Sequence, residues 1–90
     1  MMTLEHKLLH AVTEYDRKQS AKQGYNPYAL SHYLGAINER ILPAIAEGKS
    51  TRQAILGAMC GQLANICLKV AGEPRMTDAE KRGSLADYGY

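Results

Sequence analysis

Two histidines and a glutamate recur at intervals of four residues near the start of the chain, at His6, His10 and Glu14. On a helix this spacing places the three side chains on one side, and imidazole and carboxylate groups so arranged are typical zinc ligands. The His-Glu-x-x-His motif of zinc hydrolases needs Glu directly after its first His, but Lys7 occupies that position. The face lies opposite the apolar residues of the same segment. We therefore interpret it as a solvated helix surface and predict neither a metal nor another cofactor.

The run Gly48-Lys49-Ser50-Thr51 resembles the end of a phosphate-binding loop. The complete motif needs a second glycine five residues before Gly48, where this chain has Pro43. It also follows a strand, whereas this stretch follows a segment with helical periodicity. We interpret the run as the end of one helix and the cap of the next, and not as a nucleotide site.

The same junction could form a helix-turn-helix, in which Lys49, Thr51, Arg52 and Gln53 would lead the recognition helix. Pro43 disturbs the first helix of such a pair, and few other basic residues lie nearby. Nucleic-acid binding through these four residues is therefore the alternative prediction.

Groups suited to acid–base or nucleophilic catalysis do not converge on one place in the sequence. Cys60 and Cys67 fall on an apolar helix face and are predicted to be small core residues. A three-helix chain of this length also has little room for an enclosed substrate cavity. The sequence predicts no catalytic residues and a protein that is not an enzyme.

An aromatic group, Tyr25, Tyr28 and His32, is the predicted protein-binding surface. Tyr28 and His32 are four apart, on the side of the second helix that faces away from its apolar residues. Tyrosine is favoured at interfaces because it combines a large rigid ring with a polar tip. In the alternative interpretation these rings cover the adjacent loop or pack against Tyr88.

A small basic cluster, Arg17, Lys18 and Lys22, lies at the end of the first helix. Cations suit the helix dipole there without any ligand. If the tyrosines bind a partner, we expect these charges at the rim, where they would mainly raise the encounter rate.

The composition predicts that helices position all of these residues. The chain has 90 residues, with twelve Ala and ten Leu but two Val, no Phe and no Trp. Helix formers dominate and strand formers are scarce, which predicts an all-α fold. The formal net charge of +2 is too balanced to require nucleic acid or a membrane as the partner.

The apolar spacing predicts a small three-helix bundle. The first helix opens at a Thr3 cap and ends by Gly24. The second begins at Asn26-Pro27, with Pro27 in its first turn, kinks at Pro43 and stops at Gly48.

The third helix is predicted to run from a Ser50 cap to Ala71 and to be central and mostly buried. Residues 1–74 would form the bundle, and residues 75–90 a short helical turn with a flexible C-terminal tail. A capping box at Thr77 to Glu80 starts that turn, which would end near Gly83.

Small residues at Gly57, Gly61 and Ala64 give the third helix a smooth face. Each glycine costs about 1 kcal/mol relative to Ala inside a helix, so we expect a close helix-on-helix approach to offset that cost. The approaching helix belongs either to this chain or to a second copy. A homodimeric structural protein is thus a further alternative.

The N-terminal residues lack the apolar stretch of a signal peptide. The most apolar stretch, 54–71, is interrupted by Gln62, Asn65 and Lys69, so we expect no membrane span. The two cysteines are too far apart on one helix to bridge, and free thiols indicate a cytoplasmic location.

Two stretches, Gly24 to Ala36 and Gly48 to Pro74, together with Thr77-Asp78, resemble small helical accessory proteins encoded by phages and plasmids of proteobacteria. The resemblance implies an accessory gene of a mobile element. Such genes include anti-CRISPR proteins and other host-defence inhibitors, which usually bind a host protein. The resemblance supplies no catalytic or ligand residues. It favours a non-enzymatic protein-binding module whose partner is a host or phage protein.

Overall fold

The computed structural model describes residues 2–81, which contain helices and no strand, and the all-α class is thereby confirmed. The elements in chain order are α1 (Leu4–Gln23), α2 (Ala29–Ala36), a π-helical segment (Ile37–Ile41), α3 (Leu42–Ala46), α4 (Thr51–Ala58) and α5 (Gly61–Val70). Another helical turn begins at residue 78. The predicted helix end at Gly83, the tail after it and any contact of Tyr88 lie outside the described residues. Within that range no helix combines the length and the apolar character needed to cross a membrane.

Both predicted ends of α1 are confirmed. The Thr3 hydroxyl accepts a hydrogen bond from the His6 N–H at 3.2 Å, as an N-cap does. At the other end Gly24 has a φ of 90°, a backbone conformation that glycine adopts without a steric penalty. Buried residues of α1, among them Leu8 and Val12, pack the helix against α5 and α2.

The connection into α2 is a turn, and the helix begins later than predicted. The Asn26 side-chain oxygen accepts a hydrogen bond from the Tyr28 N–H at 3.0 Å, so Asn26 stabilises the turn. Pro27 lies in this turn, and α2 starts at Ala29. The prediction that Pro27 is the first helical residue is wrong by two positions, because residues 27 and 28 form a turn before α2.

A π-helical segment precedes Pro43, and the helical residues run without interruption from 29 to 46. The Leu42 N–H donates to the Ile37 carbonyl, a bond spanning five residues. Pro43 has no N–H for the Glu39 carbonyl, and its ring crowds that carbonyl, so the ordinary ladder cannot continue there. The chain thus accommodates the proline by a wider turn. Ile37 and Ile41 are both fully buried at this turn.

The junction between α3 and α4 is a helix end followed by a helix cap, as predicted. Gly48 has a φ of 102°, and the Lys49 N–H donates to the Ala44 carbonyl at 3.0 Å, which completes a Schellman motif. The Ser50 hydroxyl then accepts a hydrogen bond from the Gln53 N–H at 3.1 Å.

The single third helix predicted up to Ala71 is wrong, because Met59 and Cys60 separate α4 from α5. Both have extended backbones, with φ and ψ of −124° and 155° at Met59 and −138° and 163° at Cys60. Gly61 follows with a φ of 61°. The glycines on either side weaken the helix here, and Met59 is buried with 3% of its surface exposed.

The hydrophobic core draws buried residues from α1, α2, the π-helical segment, α4 and α5, and α3 packs partly buried residues against it. Helix α5 packs against both α1 and α4. The largest fully buried side chains are Leu8, Ile37, Ile41, Ile55 and Leu68. Met76 also belongs to the core, although it lies beyond the boundary predicted at residue 74. Residues 73–76 therefore lie against the bundle.

The small residues of the predicted third helix do not share one accessible face. Gly57 and Gly61 are exposed, and a Cβ added at either would meet nothing within 4 Å. Ala64 is fully buried in the core. The expected close approach of another helix of this chain at Gly57 and Gly61 is therefore wrong within the described residues. The positive φ of Gly61 accounts for a glycine at that position.

Candidate binding surface

The most exposed large hydrophobic side chains among the described residues are Tyr28 and Tyr25, at 80% and 78%. The prediction that Tyr28 and His32 lie on the outer side is confirmed, since both are exposed, and Tyr25 just upstream is exposed as well. Rings this exposed do not cover the loop beside them, so the alternative in which they shield that loop is wrong. Most of their apolar area is left available for a partner.

The outer side of α2 carries a shallow groove of about 530 Å³, with Tyr28 and His32 at one end. Gly35 leaves space in the middle because it has no side chain, and Glu39 and Arg40 line the other end. Positions 28, 32, 35 and 39 follow helical spacing along one face. The groove therefore offers aromatic contact at one end and both signs of charge at the other.

The opposite side of α2 is anchored to α1 by an aromatic pair. The rings of Tyr33 and Tyr15 have centroids 5.8 Å apart and planes inclined at 60°. Burial raises the pKa of Tyr33, and the neighbouring Tyr15 and Asp16 raise it further. The His32 ring meets the edge of Tyr33 with centroids 6.2 Å apart, so His32 is positioned by the same anchor.

The connection that carries Tyr25 and Tyr28 is held at both ends. The Gly24 N–H donates to the Ser20 carbonyl at 3.0 Å, and Asn26 accepts from the Tyr28 N–H. Rings on such a fixed backbone lose little conformational freedom when a partner binds.

Among the described residues, no hydrogen bond or ion pair links the basic cluster Arg17, Lys18 and Lys22 to this surface. Arg17 forms an ion pair with Glu14, and Lys18 and Lys22 are exposed on α1. Near Tyr33, the α1 side chains that face α2 include the acidic Asp16.

The three residues with the spacing of metal ligands, His6, His10 and Glu14, do not form a metal site. His6 and His10 are exposed, and Glu14 bonds to Arg17. Within residues 2–81 no group of three His, Cys, Asp or Glu side chains lies close enough to hold a metal ion.

Arg52, predicted to lead a recognition helix, is engaged inside the protein. Its Nε donates to Glu80 at 2.8 Å, and its terminal nitrogens donate to the carbonyls of Pro74 at 2.7 Å and Arg75 at 3.0 Å. Only 20% of its side chain is exposed. Arg52 is therefore not free to reach a base edge in this conformation.

The other members of that group remain at the surface. Lys49 and Gln53 are exposed, and Thr51 is half-buried. The Gln53 backbone N–H serves the Ser50 cap. Without Arg52 the junction keeps one exposed cation, Lys49, which is a weak basis for contacting phosphates.

Glu80 completes the arrangement around Arg52, and sequence reasoning did not pair the two. Hydrogen bonds from Arg52, and then from the Thr77 N–H, lower the pKa of Glu80 to about 2. Thr77 and Glu80 bond reciprocally, at 2.9 and 3.1 Å, so the predicted capping box is confirmed. Arg52 and Glu80 are 28 positions apart, a separation that no local periodicity signals.

The two cysteines occupy different environments. The prediction that both belong to the core is confirmed for Cys67 and wrong for Cys60, which is exposed in the extended link. Burial raises the pKa of the Cys67 thiol to about 11. Cys67 is therefore a neutral core side chain and is unsuited to act as a nucleophile.

Comparison of the chain with protein-family profiles, with curated proteins and with solved structures finds no match.

Proposed function

We propose that this chain is a small non-enzymatic protein-binding module whose partner docks on the outer face of α2, through Tyr25, Tyr28 and His32. The observation that carries the proposal is the 80% exposure of Tyr28 at one end of a groove, beside an equally open Tyr25. A folded chain ordinarily buries such large rings in part. A partner that covers them removes apolar area from water at little entropic cost.

The expected energetics follow from the geometry of the groove. Aromatic anchors near the centre of an interface commonly account for about 2 kcal/mol or more each. Tyr28 and His32 line the groove together, so we expect them to be the main anchors. Glu39 and Arg40 at the far end would add orientation through hydrogen bonds.

The non-enzymatic role is supported by the way the reactive groups are used. Cys67 is buried, and Arg52 and Glu80 are bonded to each other and hold the chain together. These groups serve the fold, whereas the exposed tyrosines present a surface suited to recognition.

The resemblance to accessory proteins of phages and plasmids also suggests what kind of protein the partner is. On that basis the partner is a host protein complex in the cytoplasm, which this chain modulates or inhibits in the manner of an anti-CRISPR protein. This extension is supported by the sequence resemblance alone.

Affinity capture from a lysate of cells that carry the gene tests the proposal. The double variant Y28A/H32A should lose the captured partner while its circular dichroism is unchanged, because both side chains are exposed. The control K7A/H10A also removes one imidazole and one large side chain, from the exposed side of α1, and should capture normally. Equal capture by all three proteins would contradict the assignment of the surface.

A further inference from the structure

A second and larger groove, of about 1000 Å³, lies between α5 and the segment that follows it. Cys60, Ile66 and Pro74 contribute apolar surface to its lining. Lys69 on α5 and Lys81 in the last described helical turn also line it. None of these residues belongs to the tyrosine surface on α2, so this groove is a separate feature.

The wall opposite α5 is fixed in place by side chains of the bundle. Arg52 bonds to the Pro74 and Arg75 carbonyls, and the Asn65 side-chain oxygen accepts a hydrogen bond from the Met76 N–H at 2.9 Å. Met76 lines the groove with 8% of its surface exposed. The groove therefore exists before any partner arrives, which lowers the entropic cost of binding.

The charges around the groove are mainly positive. Lys69, Arg75 and Lys81 are exposed and line it. Among the described residues of the lining, Glu73 is the one carboxylate, so three cations against one anion leave the lining with a net positive charge. An apolar channel with a cationic rim is complementary to a segment that is apolar on one side and acidic on the other.

We propose that this groove binds an amphipathic acidic peptide segment of a partner protein. Its apolar side chains would pack on Ile66 and Pro74, and its carboxylates would pair with Lys69, Arg75 and Lys81. Recognition of acidic motifs by clustered cations and of amphipathic helices by apolar grooves are both established modes of peptide binding. The proposal does not depend on the function assigned to the α2 surface.

Fluorescence anisotropy with the full chain and a dye-labelled peptide tests it. The probe is a peptide of about 14 residues with Leu along one helical face and Glu along the other. This length is near the minimum at which an isolated helix forms in water. Matched peptides replace each Glu by Lys, or each Leu by Ser. We expect saturable binding of the Glu/Leu peptide that weakens with salt, and clearly weaker binding of the other two. Absence of saturable binding would overturn the proposal.

Charge reversal in the protein supplies the decisive comparison. K69E/K81E should weaken binding of the Glu/Leu peptide by about tenfold and strengthen binding of the Lys/Leu peptide. Each exposed ion pair contributes only modestly to the binding free energy, but reversing one charge turns attraction into repulsion. Y28A/H32A is the control and should bind the Glu/Leu peptide like the unmodified chain. Unchanged peptide preference in K69E/K81E would overturn the proposal.

Other occupants of the groove give distinct results. Self-association in sedimentation that K69E/K81E abolishes, with no peptide binding, would assign the groove to a second copy and overturn the proposal. Peptide binding that appears only after residues 82–90 are removed would assign it to the chain's own C-terminal residues, and would also overturn it.

Discussion

The Arg52 guanidinium donates hydrogen bonds to both carboxylate oxygens of Glu80, which follows it by 28 positions. This pair joins the beginning of α4 to the turn that begins after α5. The same guanidinium bonds to the carbonyls of Pro74 and Arg75, so one side chain also holds the link between α5 and that turn. The wall of the larger groove depends on this arrangement.

Replacing Arg52 should loosen the segment 73–81 without unfolding the bundle. In Arg52→Lys one charge is retained, but a lysine cannot bond to Glu80 and both carbonyls in the same planar geometry. We expect severalfold faster hydrogen exchange at the Met76 and Thr77 amides, both of which are hydrogen-bonded here.

Arg40 is exposed, so Arg40→Lys is the matched control for that measurement. It should leave the exchange rates of the Met76 and Thr77 amides unchanged. Equal exchange in Arg52→Lys and in the unmodified chain would show that Arg52 does not hold the segment.

The lowered pKa of Glu80 predicts acid sensitivity. Its value of about 2 lies below the ordinary 4.5, because Arg52 and the Thr77 N–H favour the charged carboxylate. The stabilisation is therefore complete above about pH 4.5 and is lost as the pH falls toward about 2. Urea unfolding across this range should show stability decreasing in the unmodified chain.

Glu80→Gln cannot titrate and should show a smaller decrease over the same pH range. Parallel pH profiles for the two proteins would contradict the role assigned to the Glu80 carboxylate.

Gly57 and Gly61 should respond in opposite directions to alanine. Gly57 lies within α4 with open space at its Cβ position, so Gly57→Ala should raise the free energy of unfolding by about 0.5–1 kcal/mol. Gly61 has a φ of 61°, where a Cβ is strained, so Gly61→Ala should lower it by about 1–2 kcal/mol. Chemical denaturation measures both changes. Stabilisation by both substitutions would instead indicate one continuous helix.

The two thiols should differ in reactivity toward Ellman's reagent. Cys60 is exposed, whereas burial raises the pKa of Cys67 to about 11, which keeps that thiol neutral at about pH 8. We expect one fast-reacting thiol in the folded chain and a second only after denaturation. Cys60→Ser should abolish the fast reaction; rapid labelling of that variant would show that Cys67 is accessible.

Local signals in the sequence predicted three of the helix boundaries correctly. The caps at Thr3 and Ser50 and the turn at Gly48 depend on residues a few positions apart, and the structure has all three. The link at Met59 and Cys60 was not predicted, because the apolar spacing continues through it and hides the break in the helix.

The candidate sites were predictable only in part. The exposure of Tyr28 follows from its position opposite the apolar residues of one helix, which is a local property. The engagement of Arg52 by Glu80 and the groove beside Lys69 arise from contacts between distant segments. No periodicity within one segment encodes such contacts.

Photo-crosslinking tests the central claim, that a partner covers the outer face of α2, most directly. A photoreactive phenylalanine analogue replaces Tyr28 in one protein and Lys7, exposed on α1, in another. The account predicts a crosslinked partner band from position 28, lost when His32→Ala is added, and none from position 7. A partner that crosslinks equally at both positions, or at position 7 alone, would contradict it.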